Sequence, residues 1–378
     1  MVYVGDGSGV TMNVLLIGVD TGEEKDFERS MQELKALAEA CGLCVSGMMT
    51  QRMTGVNKAF YIGSGKVREV RQYAQECNAE EIVFDNQLSP SQIRNLTKEL
   101  ELPVIDRTNL ILDIFAIRAR TGEARLQVEL ARLQYMLPRL VGMHESLGRQ
   151  AGTGGSMSNK GSGEKKLELD RRKIEHRITE LRRELQNLER SRQTQRKKRL
   201  GSRIPQAALV GYTNAGKSTI MNRILEMYGR EQEKQVLEKD MLFATLETSV
   251  RIVDAGDGMP FLLSDTVGFI HKLPHGLIKA FHSTLEEVRY ADLLIWVVDV
   301  SDEDYRLQMQ VTEETLKELE TGDIPKIIVY NKADKCQMQG LPKMSDNSIH
   351  MAAGKGIGIR ELVQLIKDRL YTEDGNVF

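Results

Sequence analysis

Short apolar runs alternate with amphipathic stretches over residues 13–121. The runs "NVLLIGVD" (13–20), "CVSGMMT" (44–50), "EIVFD" (81–85) and "PVID" (103–106) have the length and composition of strands. Between them, residues 26–41, 65–78 and 89–101 space their apolar side chains as helices do. Ser89 followed by Pro90 marks one helix start, a hydroxyl cap and then a first-turn proline. This alternation predicts a parallel sheet covered by helices.

At residue 122 the pattern changes. Leu126, Leu130, Leu133, Leu137 and Leu140 recur at 4-3-4-3 spacing, and Ile174, Ile178, Leu181, Leu185 and Leu188 repeat it. Each set makes an apolar seam along one side of a helix. Between them lies "GRQAGTGGSMSNKGSG" (148–163), with six glycines in sixteen residues and no apolar periodicity. The economical reading is an antiparallel, coiled-coil-like helical hairpin with a flexible tip. From "QAALVG" onward strand–helix alternation returns, and "LLIWVVDV" (293–300) and "KIIVYN" (326–331) read as central parallel strands buried on both faces. The expected class is α/β, in three parts: a parallel α/β domain (1–121), the hairpin (122–202) and a second α/β domain (203–378) that ends about where the chain does.

Composition adds limits. A chain of 378 residues, 41% hydrophobic and 28% charged, is expected to hold two or three globular domains. No apolar run reaches the ~18 residues of a membrane span. The opening "MVYVGDGSGVTMN" lacks the charged and apolar regions of a signal peptide. Cys41 and Cys44 form one C-x-x-C with no second pair to complete a zinc site, so a helix end and a strand start is the plainer account. Four cysteines make no disulfide framework, and a reducing cytoplasm is the expected compartment. Charge is uneven: residues 165–200 hold 14 Lys/Arg against 6 Asp/Glu, an excess of +8 in a chain whose total is −2. That asymmetry suits a polyanionic partner, although a spacer with a solvated face would show it too.

The last domain carries the chemistry. "GYTNAGKS" comprises Gly211, Tyr212, Thr213, Asn214, Ala215, Gly216, Lys217 and Ser218, and matches G-x-x-x-x-G-K-[ST] between a predicted strand and a predicted helix. Its backbone N–H groups and the helix N-terminus suit phosphate oxygens. Lys217 would reach the β- and γ-phosphates and Ser218 would ligate Mg²⁺. Asp265, Thr266, Val267 and Gly268 form D-x-x-G at the end of the run "PFLLSD". There Asp265 would hold Mg²⁺ through water and the Gly268 N–H would sense the γ-phosphate. "NKAD" (331–334) closes the next long strand. The Asp334 carboxylate matches the N1–H and N2–H₂ donors of guanine, which adenine lacks, while Asn331 and Lys332 brace the base and the P-loop.

This ordered set resembles a P-loop GTPase, and the chain from about 13 to 370 resembles the HflX family of ribosome-associated GTPases. The resemblance is most specific in "YIGSGKV" (61–67), "FDNQLSPSQIRNL" (84–96), "DRTNLILDIFAIRARTGEARLQVELA" (106–131) and "GEKKLELDRR" (163–172). It implies that "DMLFATLE" (240–247), which contains Phe243, Ala244, Thr245, Leu246 and Glu247, is the first switch. Thr245 would then be a second hydroxyl ligand of Mg²⁺ and a γ-phosphate sensor, so Lys217, Thr245 and Gly268 are the expected catalytic groups. It also implies that "MAAGKGIGI" (351–359) is the base-binding turn, with Ala352 where serine is usual and the Ala353 N–H available to guanine O6. "NKGSGEKK" departs from the family's R-G-P-G-E-T-Q-like tip, and the extra C-terminal domain of some members is not expected here.

The resemblance implies GTP/GDP as ligands and a monomer bound to the large ribosomal subunit near the peptidyl-transferase region, through the N-terminal domain and the hairpin tip. Splitting or rescue of stalled ribosomes would follow. Two rivals stand beside it: a nucleotide-regulated RNA-binding scaffold with little hydrolysis, and an ATP-using remodeller, which Asp334 disfavours. The N-terminal domain is open to a second, weak nucleotide site, which "YIGSGK" is too short of a P-loop to support by itself. Phe269 occupies the position where many GTPases place a water-orienting glutamine, and packing under the switch is its expected role. Asn214 is either a K⁺ ligand, as in some related GTPases, or a turn-favouring residue.

Overall fold

The computed structural model describes residues 12–22, 26–149, 160–200, 204–229, 242–243, 248–272, 287–336 and 345–371, with backbone alone at 140–149, 160–167 and 192–200. The chain divides into two compact units, Met1–Gln186 and Asn187–Phe378.

In the first unit, strands β1 (Asn13–Asp20), β2 (Cys44–Arg52), β3 (Glu81–Phe84) and β4 (Val104–Asp106) form an all-parallel sheet in the order β2-β1-β3-β4. Helices α1 (Phe27–Ala40), α2 (Ser64–Glu76) and α3 (Pro90–Leu100) link them. Leu15, Ile17, Val19, Ile82 and Phe84 pack against Val67 and Val70 of α2 and Leu96 and Leu100 of α3. Ser89 caps α3 in a full capping box with Gln92, and Pro90 opens the helix. Cys41 closes α1 and Cys44 opens β2, as the plainer account of that pair expected.

The apolar runs were read correctly as strands, but one helix went unread. α4 (Arg107–Arg118) holds Leu110, Ile111, Leu112, Ile114 and Phe115, all buried. A helix buried nearly all round, with Arg107 and Asp113 buried among its apolar residues, has no clear amphipathic stripe, so periodicity does not reveal it. Its start was legible only in Asp106, whose carboxylate accepts the Asn109 N–H at 3.0 Å. Arg107 is buried and donates to Asp85 Oδ1 at 2.7 Å and to Glu33, while Ser30 Oγ donates to Asp85 Oδ2 at 2.7 Å. Arg107→Ala leaves two carboxylates without their guanidinium, so a loss of about 3–5 kcal/mol is expected in denaturant unfolding. A loss below about 1 kcal/mol would show that Asp85 is held by other means.

Helices α5 (Gly122–Arg149) and α6 (Lys160–Leu200) supply the hairpin arms. Leu126, Leu130, Leu133 and Leu137 meet Ile174, Ile178, Leu181 and Leu185 in one seam, and Arg177 grips both Glu129 oxygens at 2.8 and 3.0 Å. Leu188 is 38% exposed and drops out of the expected seam; the side chain of Leu140 lies outside the described residues. The tip was expected to run to 163, yet α6 begins at Lys160. Propagation from the seam carries the helix over Gly161 and Gly163 despite a cost of about 1 kcal/mol each. Residues 150–159 lie outside the described residues. α5 is tied to the end of β4 and to α4 by polar contacts: Tyr135 Oη donates to Asp106, Arg139 Nη2 reaches Asp106 Oδ2 at 3.1 Å, and Arg132 pairs with Asp113 of α4. Burial pushes Asp113 up to about 6 against the pull of Arg132.

The second unit holds a six-stranded sheet in the order β10-β9-β8-β5-β7-β6: β5 (Gln206–Gly211), β6 (Ser249–Val253), β7 (Phe261–Asp265), β8 (Leu293–Asp299), β9 (Lys326–Asn331) and β10 (Ser348–His350). All pairings are parallel except β6 with β7. The antiparallel edge strand β6 was not expected from the sequence. Helices α7 (Lys217–Tyr228), α8 (Tyr305–Glu318) and α9 (Ile359–Leu370) belong to this unit. Among the described residues no helix is long and apolar enough to cross a membrane.

Candidate active site

Three strands of the second sheet end at one place. β5 delivers the P-loop, its neighbour β7 delivers Asp265, and β9 delivers Asn331, all at carboxyl ends, where α/β sheets bind ligands.

The P-loop turn is built by its small residues. Gly211 has φ +143, and a Cβ there would lie 2.2 Å from the Val297 carbonyl oxygen. Asn214 sits at φ +60, a conformation asparagine tolerates, which accounts for its residue type by backbone shape. Lys217 is buried, and its Nζ donates to the Gly211 and Tyr212 carbonyls at 3.1 and 2.8 Å. Burial pushes its ammonium down from 10.5 to about 8, with Asp265 pulling the other way. Thr213 Oγ1 is buried with no hydrogen-bond partner among the described residues. Ser218 Oγ donates to Asp265 Oδ2 at 2.7 Å, bringing two hard oxygen groups together.

The D-x-x-G segment is pinned to the P-loop. Thr266 Oγ1 donates to Leu209 O at 2.6 Å, and Val267 is buried. A Cβ on Gly268 would lie 2.7 Å from Thr213 Cα and 2.9 Å from Lys217 Nζ, so only glycine fits between switch and P-loop. The backbone of Phe269 then bridges to Tyr212: Thr213 N–H donates to Phe269 O at 2.8 Å, and Phe269 N–H donates to Gly211 O at 3.1 Å. Its side chain is 1% exposed and packs with Ala208, Val210, Val288 and Trp296. Phe269 therefore packs under the switch, and its ring faces the core rather than the P-loop. Tyr212 adds a contact that the sequence did not reveal, because its hydroxyl accepts the His271 N–H at 2.8 Å.

On the base side, Asn331 Nδ2 donates to Ala215 O at 2.9 Å and its Oδ1 accepts the Ala353 N–H at 3.0 Å. The Ala353 N–H expected to serve guanine O6 thus already has an acceptor. The amide that braces the P-loop also braces the base turn. Lys332, at φ +60, pairs with Asp299 at 2.6 Å. Asp334 pairs with Lys355 at 3.0 Å, and that hydrogen bond holds its carboxyl below the usual range. Ala352 and Ile357 close the turn with hydrogen bonds of 3.1 and 3.2 Å. Sequence reasoning gave no role to Lys355, although it lies within the "MAAGKGIGI" turn, or to Asp299 at the end of β8. Phe243 is buried at φ +53, while Ala244, Thr245, Leu246 and Glu247 lie outside the described residues.

Comparison with known proteins decides the identity. Residues 28–116 match the family model described as GTP-binding GTPase N-terminal, 118–199 the GTP-binding GTPase Middle Region, and 206–332 the 50S ribosome-binding GTPase. GTPase HflX of Caldanaerobacter subterraneus subsp. tengcongensis is 44% identical over 346 residues, 92% of this chain and 78% of that one. The chain belongs to the GTPase HflX family. GTPase HflX of Escherichia coli K12 is 38% identical over 364 residues, 95% of this chain and 83% of that one. The crystal structure of SsGBP in complex with GDP superposes with a TM-score of 0.51 at 25% identity, covering 94% of this chain and 97% of that one. As an HflX-family member the protein binds guanine nucleotide and hydrolyses GTP.

Proposed function

We propose that this HflX-family GTPase acts on the large ribosomal subunit and uses GTP to split or rescue stalled ribosomes, as a cytoplasmic monomer. The observation that carries the reading is the match of residues 206–332 to the model described as a 50S ribosome-binding GTPase. A basic hairpin arm supports it: Arg182 and Arg183 are exposed on α6, in the segment with the +8 excess. In this reading 1–121, 122–202 and 203–378 are working parts: an α/β platform, a probe and a motor.

Within the motor, Lys217 neutralises the β- and γ-phosphates and the Gly268 N–H reads the γ-phosphate. Thr245 is the third member of that set. Ser218 and Asp265 fit Mg²⁺, since their paired oxygens are the hard donors that ion takes, and Thr245 would complete the set. When bound, Mg²⁺ would offset charge on the phosphate oxygens. The Asn214 side-chain carbonyl is a candidate K⁺ ligand beside them. Because the Phe269 ring is turned into the core, no side chain at that position orients water. Intrinsic hydrolysis is therefore slow, and a large partner that orders the switches accelerates it.

Co-sedimentation with large subunits across salt tests the partner. Affinity should fall by roughly 0.7–0.9 log units per log salt for each phosphate contact. Charge reversal at Arg182 and Arg183 should weaken binding and spare intrinsic hydrolysis, whereas deletion of 151–162 should spare binding and remove the subunit's effect on turnover. A flat salt dependence with full binding by the charge-reversed protein would reduce the hairpin to a spacer.

A further inference from the structure

For the Gly268 N–H to meet a γ-phosphate, the segment around it must hold one position. On its N-terminal side Thr266 Oγ1 donates to Leu209 O at 2.6 Å, which ties the end of β7 to β5. On its C-terminal side three hydrogen bonds lace residues 269–271 to the P-loop. Phe269 N–H donates to Gly211 O at 3.1 Å, and Thr213 N–H donates to Phe269 O at 2.8 Å. These two run backbone to backbone and call for no particular side chain. The third does: His271 N–H donates to the Tyr212 hydroxyl at 2.8 Å. Tyr212 is a large ring in a loop of otherwise small residues, 6% exposed, at a position that the P-loop motif leaves open. The chain turns directly after this contact, with Lys272 at φ +56, so His271 is the last residue laid along the P-loop. The Tyr212 carbonyl accepts Lys217 Nζ at 2.8 Å, so the same residue borders the phosphate-site lysine. Its hydroxyl contact does not involve that lysine, and so persists when Lys217 turns from the loop carbonyls to phosphate.

We infer that Tyr212 is a positioning residue for GTP hydrolysis: its hydroxyl holds the segment after Gly268 against the P-loop and so keeps the Gly268 N–H at the γ-phosphate. The inference rests on the reading of Gly268 as the γ-phosphate sensor. It also explains why an aromatic residue with a polar tip stands in a turn otherwise built for close backbone approach.

The test is Tyr212→Phe in the full chain, which keeps the ring and removes the acceptor. Two quantities are compared with the parent: the Kd for GDP and kcat/KM for GTP. GDP has no γ-phosphate, so its binding reports the shape of the loop and serves as the folding control. The variant should bind GDP within about twofold of the parent while kcat/KM for GTP falls about three- to tenfold, the range of one hydrogen bond. Equal losses for GDP binding and GTP turnover would show that Tyr212 only shapes the loop. Unchanged or faster turnover would show that its hydroxyl does not position the switch; either result overturns the inference. Gly268→Ala serves as the separate control. If that variant keeps the parent's kcat/KM, the sensor reading fails, whatever Tyr212→Phe does.

Discussion

Lys217→Ala lowers GTP turnover by about a hundredfold or more and leaves the protein folded. The Nζ is buried among the Gly211 and Tyr212 carbonyls at the floor of the P-loop, against the Gly268 backbone. It is the only side-chain cation of the P-loop motif, and preorganised charge at a phosphoryl site is worth about 10²–10³ in rate. Folding survives because this lysine is a cost to the native state. Its folded pKa of about 8 lies below its ordinary 10.5, so between those values the unfolded chain binds more protons. The penalty is therefore fully present below about pH 8 and fades as pH rises toward 10.5. Removing the ammonium relieves it, which offsets the bonds that the two carbonyls lose. Thermal unfolding at pH 7 should show a variant at least as stable as the parent, with any advantage shrinking at higher pH. Unchanged turnover would remove Lys217 from the phosphate site.

Asp334→Asn shifts base preference from guanine to xanthine nucleotides. The carboxylate accepts two hydrogen bonds from guanine, and bonds to charged groups contribute about 1.5–3 kcal/mol each, so GTP affinity should fall by about a hundredfold or more. An amide offers a donor where xanthine presents a carbonyl, which restores the match. The variant also releases Lys355 from its 3.0 Å ion pair with Asp334. Competition binding of GTP against xanthosine triphosphate reads the result directly. An unaltered preference would place base recognition elsewhere.

Much of this site was legible because its residues are forced by shape. Gly211 and Gly268 stand where a Cβ would strike the Val297 carbonyl or the P-loop itself, so such positions tolerate little else. Asp265 and Asn331 lie at the ends of apolar runs whose length announced them as strands. Phe269 was legible in role as well, since a buried aromatic in place of a polar residue points to packing.

What stayed hidden depends on contacts that spacing does not encode. α4 is buried nearly all round and mixes Arg107 and Asp113 with its apolar residues, so it has no clear period to read. The tip is shorter than its glycines suggested, because helix propagation from the Ile174–Leu185 seam outweighs their local preference. Asn331 takes the Ala353 N–H through a contact 22 residues away in sequence, and Lys355 meets Asp334 across a similar gap, a pairing that neither motif encodes.

The most direct test of the account is steady-state GTP turnover with and without purified large ribosomal subunits, run in parallel on the parent and on Lys217→Ala. The account predicts slow turnover alone, acceleration of at least about tenfold by the subunits, and neither rate in the variant. A parent rate that large subunits leave unchanged, or a variant that turns over GTP as the parent does, would contradict it.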